Sequence, residues 1–352
     1  MDQKVSEDLA DLRFNWSHLP PISSHLPATF GKIRTRLEDF IVTEVPRYLP
    51  QGHGAHAYAF IEKRGLTTHD LVSHLRSQGV SMKNVGVAGL KDKYAVTRQW
   101  ISVLQHSEQA LETLDTLGGV RIMEMSRHHN KLGVGHLIAN RFEITVRCPA
   151  NDWQTRATAK LSYLKKHGLP NYFGPQRFGH FNSNVIDAMR LLRGEKVPGG
   201  RSLHTLFLNS LQSHLFNWML KLRIESGLYQ RVLNGDWAKK HDTGGMFVVG
   251  DTAKENERAA RLEISAALPL YGRKVRYSRG DAGELELATL DRFRLSRNDF
   301  PALGRGDWRI SRVRITETSL NPKNDGYTVE FTLPKGSYAT SLLRELVTPD
   351  VQ

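Results

Sequence analysis

The chain has 352 residues, which allows two folded domains or one large one, and its 39% of hydrophobic residues excludes a disordered protein. Its 49 lysines and arginines outnumber its 36 aspartates and glutamates, and the formal charge of +13 favours a polyanionic partner, most commonly nucleic acid, over a basic surface that only serves solubility. Cys148 is the single cysteine, so the sequence predicts neither disulfide bonds within the chain nor a cysteine-based zinc site. No apolar run has the pattern of a signal peptide or of a membrane span. Together these observations predict a cytoplasmic protein.

The first half of the chain alternates strand-like and helix-like segments. Residues 33–45 and 56–63 mix β-branched and aromatic residues with charges, which predicts two half-buried strands. Residues 65–79 predict a helix that Thr67 or Thr68 caps. The later segments of this half are predicted, in order, as a buried strand at 84–90, a short helix at 107–119, and strands at 120–125 and 141–147.

The second half of the chain has a different pattern of predicted secondary structure. Residues 151–168 predict a helix with basic residues near its carboxyl end, and longer helical patterns continue to about residue 300. Strand patterns return at 308–317 and 326–333, and the stretch 334–346 predicts a loop that enters a short helix. This order indicates an α+β domain interrupted by a more helical insertion.

Asp92 lies between two lysines in the stretch GLKDKYAVTRQW at 89–100. Taken alone, an aspartate in a lysine-rich loop indicates an exposed turn. Other loop-edged stretches supply a cation, an amide and two aromatic rings, namely Arg34, Asn140, Phe40 and Tyr338. Such side chains can hold a flipped-out nucleobase, because the rings can stack, the amide can read the base edge and the carboxylate can react. Each ring considered separately is more often a core residue.

Motifs for several other chemistries do not occur in the sequence. The histidines of GHGAH at 52–56 and RHHN at 127–130 lack the spacing of a zinc motif. The Gly-x-Gly at 133–135 lacks the third glycine of a dinucleotide fingerprint, and neither a P-loop nor a GxSxG motif is present. We therefore expect neither a metal nor a cofactor.

Five stretches resemble the tRNA pseudouridine synthase D (TruD) family: LEDFIVTE, AGLKDKYAVTRQW, RHHNKLGVGHLIANRF, GLPNYFGPQRFG and LPKGSYATSLLREL. They occur in the family's order and span residues 31–346. The resemblance implies an α+β fold, in which a pseudouridine-synthase catalytic domain with a mixed or antiparallel sheet is interrupted by a family-specific α/β insertion (TRUD) domain. The implied boundaries are 1–167 and 313–352 for the catalytic domain and 168–312 for the insertion, which agrees with the change of texture at residue 168.

The resemblance also implies an activity. The expected reaction converts uridine to pseudouridine at position 13 of tRNA, without a cofactor and in a protein that works as a monomer. Asp92 matches the family's catalytic aspartate, acting either as a nucleophile on C1′ or as a base that removes a 2′ proton. Substrate-binding positions of the family match Phe40, Asn140, Tyr338 and Arg34 in this sequence.

Three residues depart from the family's pattern. Arg34 stands where lysine is frequent, Tyr338 where phenylalanine is common, and Leu37 where proline is frequent. Further contacts to RNA are predicted for three basic residues, Lys91, Lys93 and Arg177, although Arg177 fits a structural role at the domain junction equally well. The alternative function is a non-catalytic RNA-binding protein with a stacking platform, which has no need for the Asp92 motif.

Overall fold

The structure is a computed structural model that describes residues 12–179 and 182–347. The described chain divides into two compact units. The first, called here the sheet unit, comprises residues 29–157 and 315–336. The second, the helical unit, comprises residues 12–28, 158–314 and 337–347. Within the described residues, no helix is long and apolar enough to cross a membrane.

The described residues form fourteen strands and eight α-helices. The strands are β1 (Phe40–Pro46), β2 (His56–Arg64), β3 (Gly86–Val87), β4 (Val96–Leu104), β5 (Val120–His128), β6 (Leu137–Arg147), β7 (Leu169–Pro170), β8 (Trp237–Lys240), β9 (Met246–Val248), β10 (Ile264–Leu270), β11 (Asp307–Ile310), β12 (Arg312–Val313), β13 (Thr316–Lys323) and β14 (Gly326–Pro334). The helices are α1 (Thr68–Ser77), α2 (Glu108–Glu112), α3 (Trp153–His167), α4 (Asn184–Leu192), α5 (Arg201–Glu225), α6 (Thr252–Ala260), α7 (Gly280–Arg292) and α8 (Ala339–Leu346).

The sheet unit is built on an eight-stranded mixed sheet. Its strand order is β13-β14-β6-β1-β4-β2-β5, with β3 paired to β4. Most neighbours are antiparallel, whereas β1 and β4 are parallel, with Ile41 opposite Val96. Helix α1 covers part of this sheet, because Leu71 and Leu75 pack with the buried side chains of β2. The mixed or antiparallel sheet that the family resemblance implies is therefore present, as a mixed sheet.

Helix α1 begins as its sequence predicts. The Thr67 hydroxyl accepts a hydrogen bond from the Asp70 backbone N–H, and the Asp70 carboxylate accepts one from the Thr67 backbone N–H, which forms a capping box. The helix ends before Gly79, whose φ of 83° is the left-handed conformation that glycine adopts easily.

The helical unit surrounds a second, four-stranded antiparallel sheet with the order β11-β10-β8-β9. The 25-residue helix α5 supplies much of its core through Leu211, Leu215 and Phe216, which are fully buried. Arg223 of this helix forms a buried ion pair with Asp236.

Three strand predictions differ from the structure. The prediction over 33–45 is wrong at its start, because a 3-10 helix at Leu37–Asp39 precedes β1. The strand predicted at 84–90 is reduced to β3, because the residues after it form the loop that carries Asp92. The strand predicted at 308–317 is divided among β11, β12 and β13, since the chain leaves the helical unit within it. The predicted domain boundaries at 167/168 and 312/313 stay a prediction.

Candidate active site

Strand pairing in the sheet unit brings three of the predicted site residues, Arg34, Phe40 and Asp92, to one end of two strands. Phe40 is the first residue of β1, and Asp92 lies in the loop that leads into β4. Because β1 and β4 run parallel, with Ile41 opposite Val96, the segments that precede them lie at the same end of the sheet. Arg34, in the segment before β1, interacts electrostatically with Asp92.

The turn into β1 is fixed by a buried carboxylate. Asp39 is 1% exposed, and its carboxylate accepts hydrogen bonds from the Arg36 backbone N–H at 2.9 Å and from Nη2 of Arg147 at 2.6 Å. Burial alone would raise the pKa of Asp39, but the hydrogen bonds from Arg147 and Arg36 outweigh it and hold the pKa below its ordinary value. This anchor fixes where β1 begins and therefore where Phe40 lies. It does so even though Leu37, in the same turn, stands where the family frequently has proline.

Phe40 and Arg34 form a packed pair. The Phe40 ring is 3% exposed, with the Arg34 guanidinium 4.3 Å from its centroid and the Phe142 ring edge-on at 6.4 Å. Arg34 has a φ of 56°, which costs a non-glycine residue roughly 1–2 kcal/mol. Burial lowers the pKa of Arg34, and the negative charge of Asp92 opposes that lowering. The strained backbone thus places over the Phe40 ring a cation that interacts electrostatically with the candidate catalytic carboxylate.

The loop around Asp92 is anchored by its backbone, which leaves the residue itself exposed. The Asp92 carbonyl accepts a hydrogen bond from Nζ of Lys63 at 2.9 Å. The Lys91 backbone N–H donates to the Thr68 hydroxyl at 2.9 Å, and this hydroxyl donates to Gln99 of β4 at 2.9 Å. The loop is therefore held from α1, from β2 and from β4, and the Asp92 side chain faces solvent from a fixed backbone.

Lys63 is the central anchor of this loop. Its side chain lies at the end of β2 and the residue is 0% exposed, with Nζ also 2.5 Å from the Leu66 carbonyl. Burial lowers the pKa of Lys63 to about 8, and the nearby charge of Asp92 opposes the lowering. A buried ammonium needs such acceptors, because an ammonium has three donors and no acceptor.

Lys91 points inward and pairs with Glu44. Its Nζ lies 3.0 Å from Oε2 of Glu44, and the two side chains are 6% and 0% exposed. Asn140 of β6 is opposite Glu44 of β1 in the strand register. Two buried acceptors here, Oε1 of Glu44 and Oδ1 of Asn140, have no hydrogen-bond partner within the described residues. Oδ1 of Asn140 is therefore a buried acceptor whose donor is not among the described residues.

Lys93 and two apolar neighbours form the exposed part of the loop. Lys93 is exposed, and Leu90 and Tyr94 are 82% and 72% exposed. A basic and aromatic surface beside a carboxylate is suited to a nucleic-acid strand, since the cation can bind phosphate and the ring can stack on a base.

Tyr338 and Arg177 lie in the helical unit, apart in the chain from the other predicted residues. Tyr338 precedes α8, and its ring meets the Phe173 ring at 5.9 Å and 61°. A Cβ added to Gly174 would lie 3.2 Å from Cδ1 of Tyr338, so glycine permits this close packing. Arg177 donates from Nε to the Ser213 hydroxyl at 3.0 Å and lies 5.7 Å from the Phe173 ring centroid.

The histidine motifs form an aromatic and hydrogen-bonded cluster. Tyr48 bonds through its hydroxyl to Nδ1 of His136 at 2.7 Å and stacks on His128 at 4.8 Å. Burial and the neighbouring histidines lower the pKa of His128. Among residues 12–179 and 182–347, no group of three or more potential metal-binding side chains could hold a metal ion.

Lys63 and Glu44 were missed as site residues at the level of sequence. For both residues, the alternation of inward-facing and outward-facing positions along the strand indicates an inward-facing side chain. Lys63 continues the inward face of Ala57, Ala59 and Ile61, all of which are 0% exposed. Glu44 likewise continues the inward face of its strand. A charge on a buried face predicts an internal partner, since burying an unpaired charge is costly.

Comparisons with known proteins identify the family. The family profile "tRNA pseudouridine synthase D (TruD)" matches residues 21–199 and 195–346. A tRNA pseudouridine synthase D of Thermus thermophilus is 47% identical over 338 residues, covering 96% of this chain and 94% of that protein. One of Anaeromyxobacter dehalogenans is 43% identical over 338 residues, covering 93% and 96%.

A solved structure gives the same result for the fold. The structure named for the TruD protein of Methanosarcina mazei matches with a TM-score of 0.76 at 22% sequence identity, over 97% of this chain and 98% of that one. This likeness confirms the predicted fold class. Since the family profile and the two relatives span nearly the whole sequence, the chain belongs to the tRNA pseudouridine synthase D (TruD) family.

Proposed function

We propose that this protein isomerises uridine to pseudouridine at position 13 of tRNA, as a cytoplasmic monomer, with Asp92 as the catalytic residue. Family membership supports the reaction type, and the anchored loop that presents Asp92 beside Arg34 is the observation that carries the residue assignment. The specific tRNA position rests on the family resemblance of the sequence.

The chemistry needs an ionised carboxylate beside the ribose. In the isomerisation the C1′–N1 bond breaks, the uracil turns, the C1′–C5 bond forms, and a proton leaves C5 while N1 gains one. Asp92 starts this series of steps by attacking C1′ or by removing a 2′ proton. Arg34 assists through the electrostatic attraction between its guanidinium and the Asp92 carboxylate, which strengthens when the RNA excludes water from the site.

Lys63 acts as a positioning residue in this proposal. Its ammonium is inaccessible to the substrate and holds the Asp92 and Leu66 carbonyls, which fixes the direction in which the carboxylate points. A displacement of the reacting group by about 1 Å can cost roughly 100-fold in rate, so this anchor matters for the turnover rate more than for RNA affinity. Lys91 has an equivalent task through Glu44, while the exposed Lys93 remains the candidate for a phosphate contact.

The detached uracil must be retained while it turns. Uracil carries an N3–H donor, and Oδ1 of Asn140 is an acceptor without a partner in the described chain. The base can be stacked in two ways. It can stack on the Phe40 ring, which requires the Arg34 guanidinium to move aside, or it can stack on the planar guanidinium itself. The stacking role of Tyr338 rests on the family resemblance.

Mapping of pseudouridine in an unmodified tRNA transcript tests the proposal. The purified protein is incubated with the transcript, and each uridine is then assayed for conversion. We expect a new pseudouridine at position 13, and a transcript with cytidine at that position serves as the matched control. A tRNA that is bound without any conversion would support the non-catalytic alternative instead.

A further inference from the structure

An arginine-lined cavity lies within the helical unit. Its volume is about 570 Å³, and it opens between the segment 272–279 and the 3-10 helix Arg297–Leu303. Four guanidinium-bearing residues and two aromatic residues line it: Arg273, Arg276, Arg279, Arg297, Tyr277 and Phe300. None of these residues is among those predicted for the Asp92 site. We refer to this cavity as the arginine pocket.

The backbone of the arginine pocket is held in place. The Arg273 N–H donates to the Gly304 carbonyl at 3.0 Å, and the Lys274 N–H donates to the Arg305 carbonyl at 3.0 Å. Gly272 and Gly306 allow the two segments to approach closely, because a Cβ on Gly272 would lie 2.3 Å from the Gly306 nitrogen. The arginines therefore project from a fixed loop.

The aromatic residues support the arginines. Arg297 lies over the Tyr277 ring at 3.7 Å, while Phe300 stacks on that ring at 5.4 Å with an interplanar angle of 23°. Tyr277 thus packs against a guanidinium and a second ring, and Phe300 is also stacked on Tyr271. A ligand in the arginine pocket would meet guanidinium groups, so an anion suits it better than a stacked ring.

The positive charge of the pocket is not neutralised nearby. Arg273, Arg276 and Arg279 are exposed, and none has a carboxylate within 4.0 Å in the described part of the chain. The acidic residue beneath the loop, Glu286, is buried and accepts a hydrogen bond from the Ser278 N–H at 3.2 Å. Burial raises the pKa of Glu286 to about 7, so its negative charge is partly suppressed at neutral pH.

We propose that the arginine pocket binds phosphodiester groups of the RNA substrate, as an anchoring site that belongs to a different unit from Asp92. The inference rests on the proposed function for the identity of the RNA. Guanidinium groups match phosphate oxygens in a bidentate geometry, and Arg297 is preoriented by its contact with Tyr277. The pocket recognises phosphate charge and spacing.

The magnitude follows from counterion release. Each phosphate contact adds roughly 0.7–0.9 to the log–log dependence of affinity on salt concentration. Loss of three contacts should lower the magnitude of that slope by about 2 to 3 and weaken binding by about 100-fold at about 0.15 M salt. The turnover rate at saturating RNA should remain, because no residue of the pocket is among those predicted for the Asp92 site.

The test compares two triple variants of the full chain. The first is Arg273→Ala, Arg276→Ala and Arg279→Ala. The matched control removes three other exposed arginines of the helical unit, namely Arg193, Arg201 and Arg231. Dissociation constants for the tRNA transcript are measured over a range of salt concentrations, together with melting temperature and single-turnover rate. A lysine version of the first variant retains the charge and should recover much of the slope.

The proposal expects the pocket variant to lose affinity and slope while its melting temperature and saturated rate stay close to those of the wild type. The control should lose much less of either. Equal losses in both variants, or an unchanged slope in the pocket variant, would overturn the proposal. Because binding is measured without turnover, a wild-type protein that binds tRNA but forms no pseudouridine would contradict the proposed function and leave the pocket result valid.

Discussion

Replacing Lys63 by methionine should reduce the turnover rate far more than the stability. The substitution removes the donors to the Leu66 and Asp92 carbonyls, and each buried carbonyl left without a donor costs about 1–3 kcal/mol. Against this, burial lowers the pKa of Lys63 from 10.5 to about 8, so keeping the ammonium charged in the folded protein costs about 3 kcal/mol that methionine does not incur. The two effects largely cancel, and the free energy of unfolding should change by less than about 3 kcal/mol.

The rate should respond differently, because the Asp92 loop loses its central anchor. A shift of about 1 Å in the carboxylate corresponds to a roughly 100-fold loss in kcat. Single-turnover measurements at saturating tRNA give the rate, urea unfolding gives the stability, and equilibrium binding gives an RNA affinity that should not change, since Lys63 is fully buried. Lys83→Met is the matched control, as Lys83 is an exposed lysine of the same unit. If Lys63→Met kept its rate within about threefold of the control, the positioning role would be refuted.

Further predictions concern the neighbours of Asp92 and the pH dependence. Phe40→Leu keeps apolar volume in the buried site but removes the ring. We therefore expect kcat to fall by roughly 10–100-fold and the free energy of unfolding to fall by less than about 1.5 kcal/mol. An unchanged kcat would restrict Phe40 to a core role. Arg34→Lys should retain more activity than Arg34→Met in the same single-turnover assay, because lysine keeps a charge beside Asp92; equal rates would contradict the electrostatic role. The wild-type kcat should decline above pH about 8 as Lys63 loses its proton, and this alkaline limb should be absent from Lys63→Met. Stability should show the opposite trend, because between about pH 8 and 10.5 Lys63 binds more protons in the unfolded protein than in the folded one. The contribution of Lys63 to the free energy of unfolding therefore rises with pH over this range. Urea titrations at several pH values would measure that rise.

Much of the secondary structure was predictable because its signals are local. The capping box of Thr67 and Asp70, the alternation of residues 141–147 and the glycine after α1 all act within a few residues. The course of residues 308–317 was not predictable in the same way. Its strand pattern is continuous, but the chain divides it among three sheets, and that choice depends on partners far away in the sequence.

The candidate site shows the same division. Asp92 and its motif could be recognised from sequence, whereas the inward direction of Lys91 could not, because its partner Glu44 lies 47 residues earlier in the chain. Burial of Lys63 likewise depends on the Asp92 loop folding over the end of β2. The parallel pairing of β1 with β4, which brings Arg34 towards Asp92, is a non-local property that no residue pattern encodes by itself.

The most direct test of the central claim compares wild-type protein with Asp92→Asn on an unmodified tRNA transcript. The substitution keeps the shape of the side chain and removes its negative charge. We expect the wild type to form pseudouridine in a single turnover, and the variant to form none while it binds the transcript with a dissociation constant within about threefold of the wild type. Pseudouridine formation by Asp92→Asn at a rate comparable to that of the wild type would contradict the assignment of Asp92 as the catalytic residue.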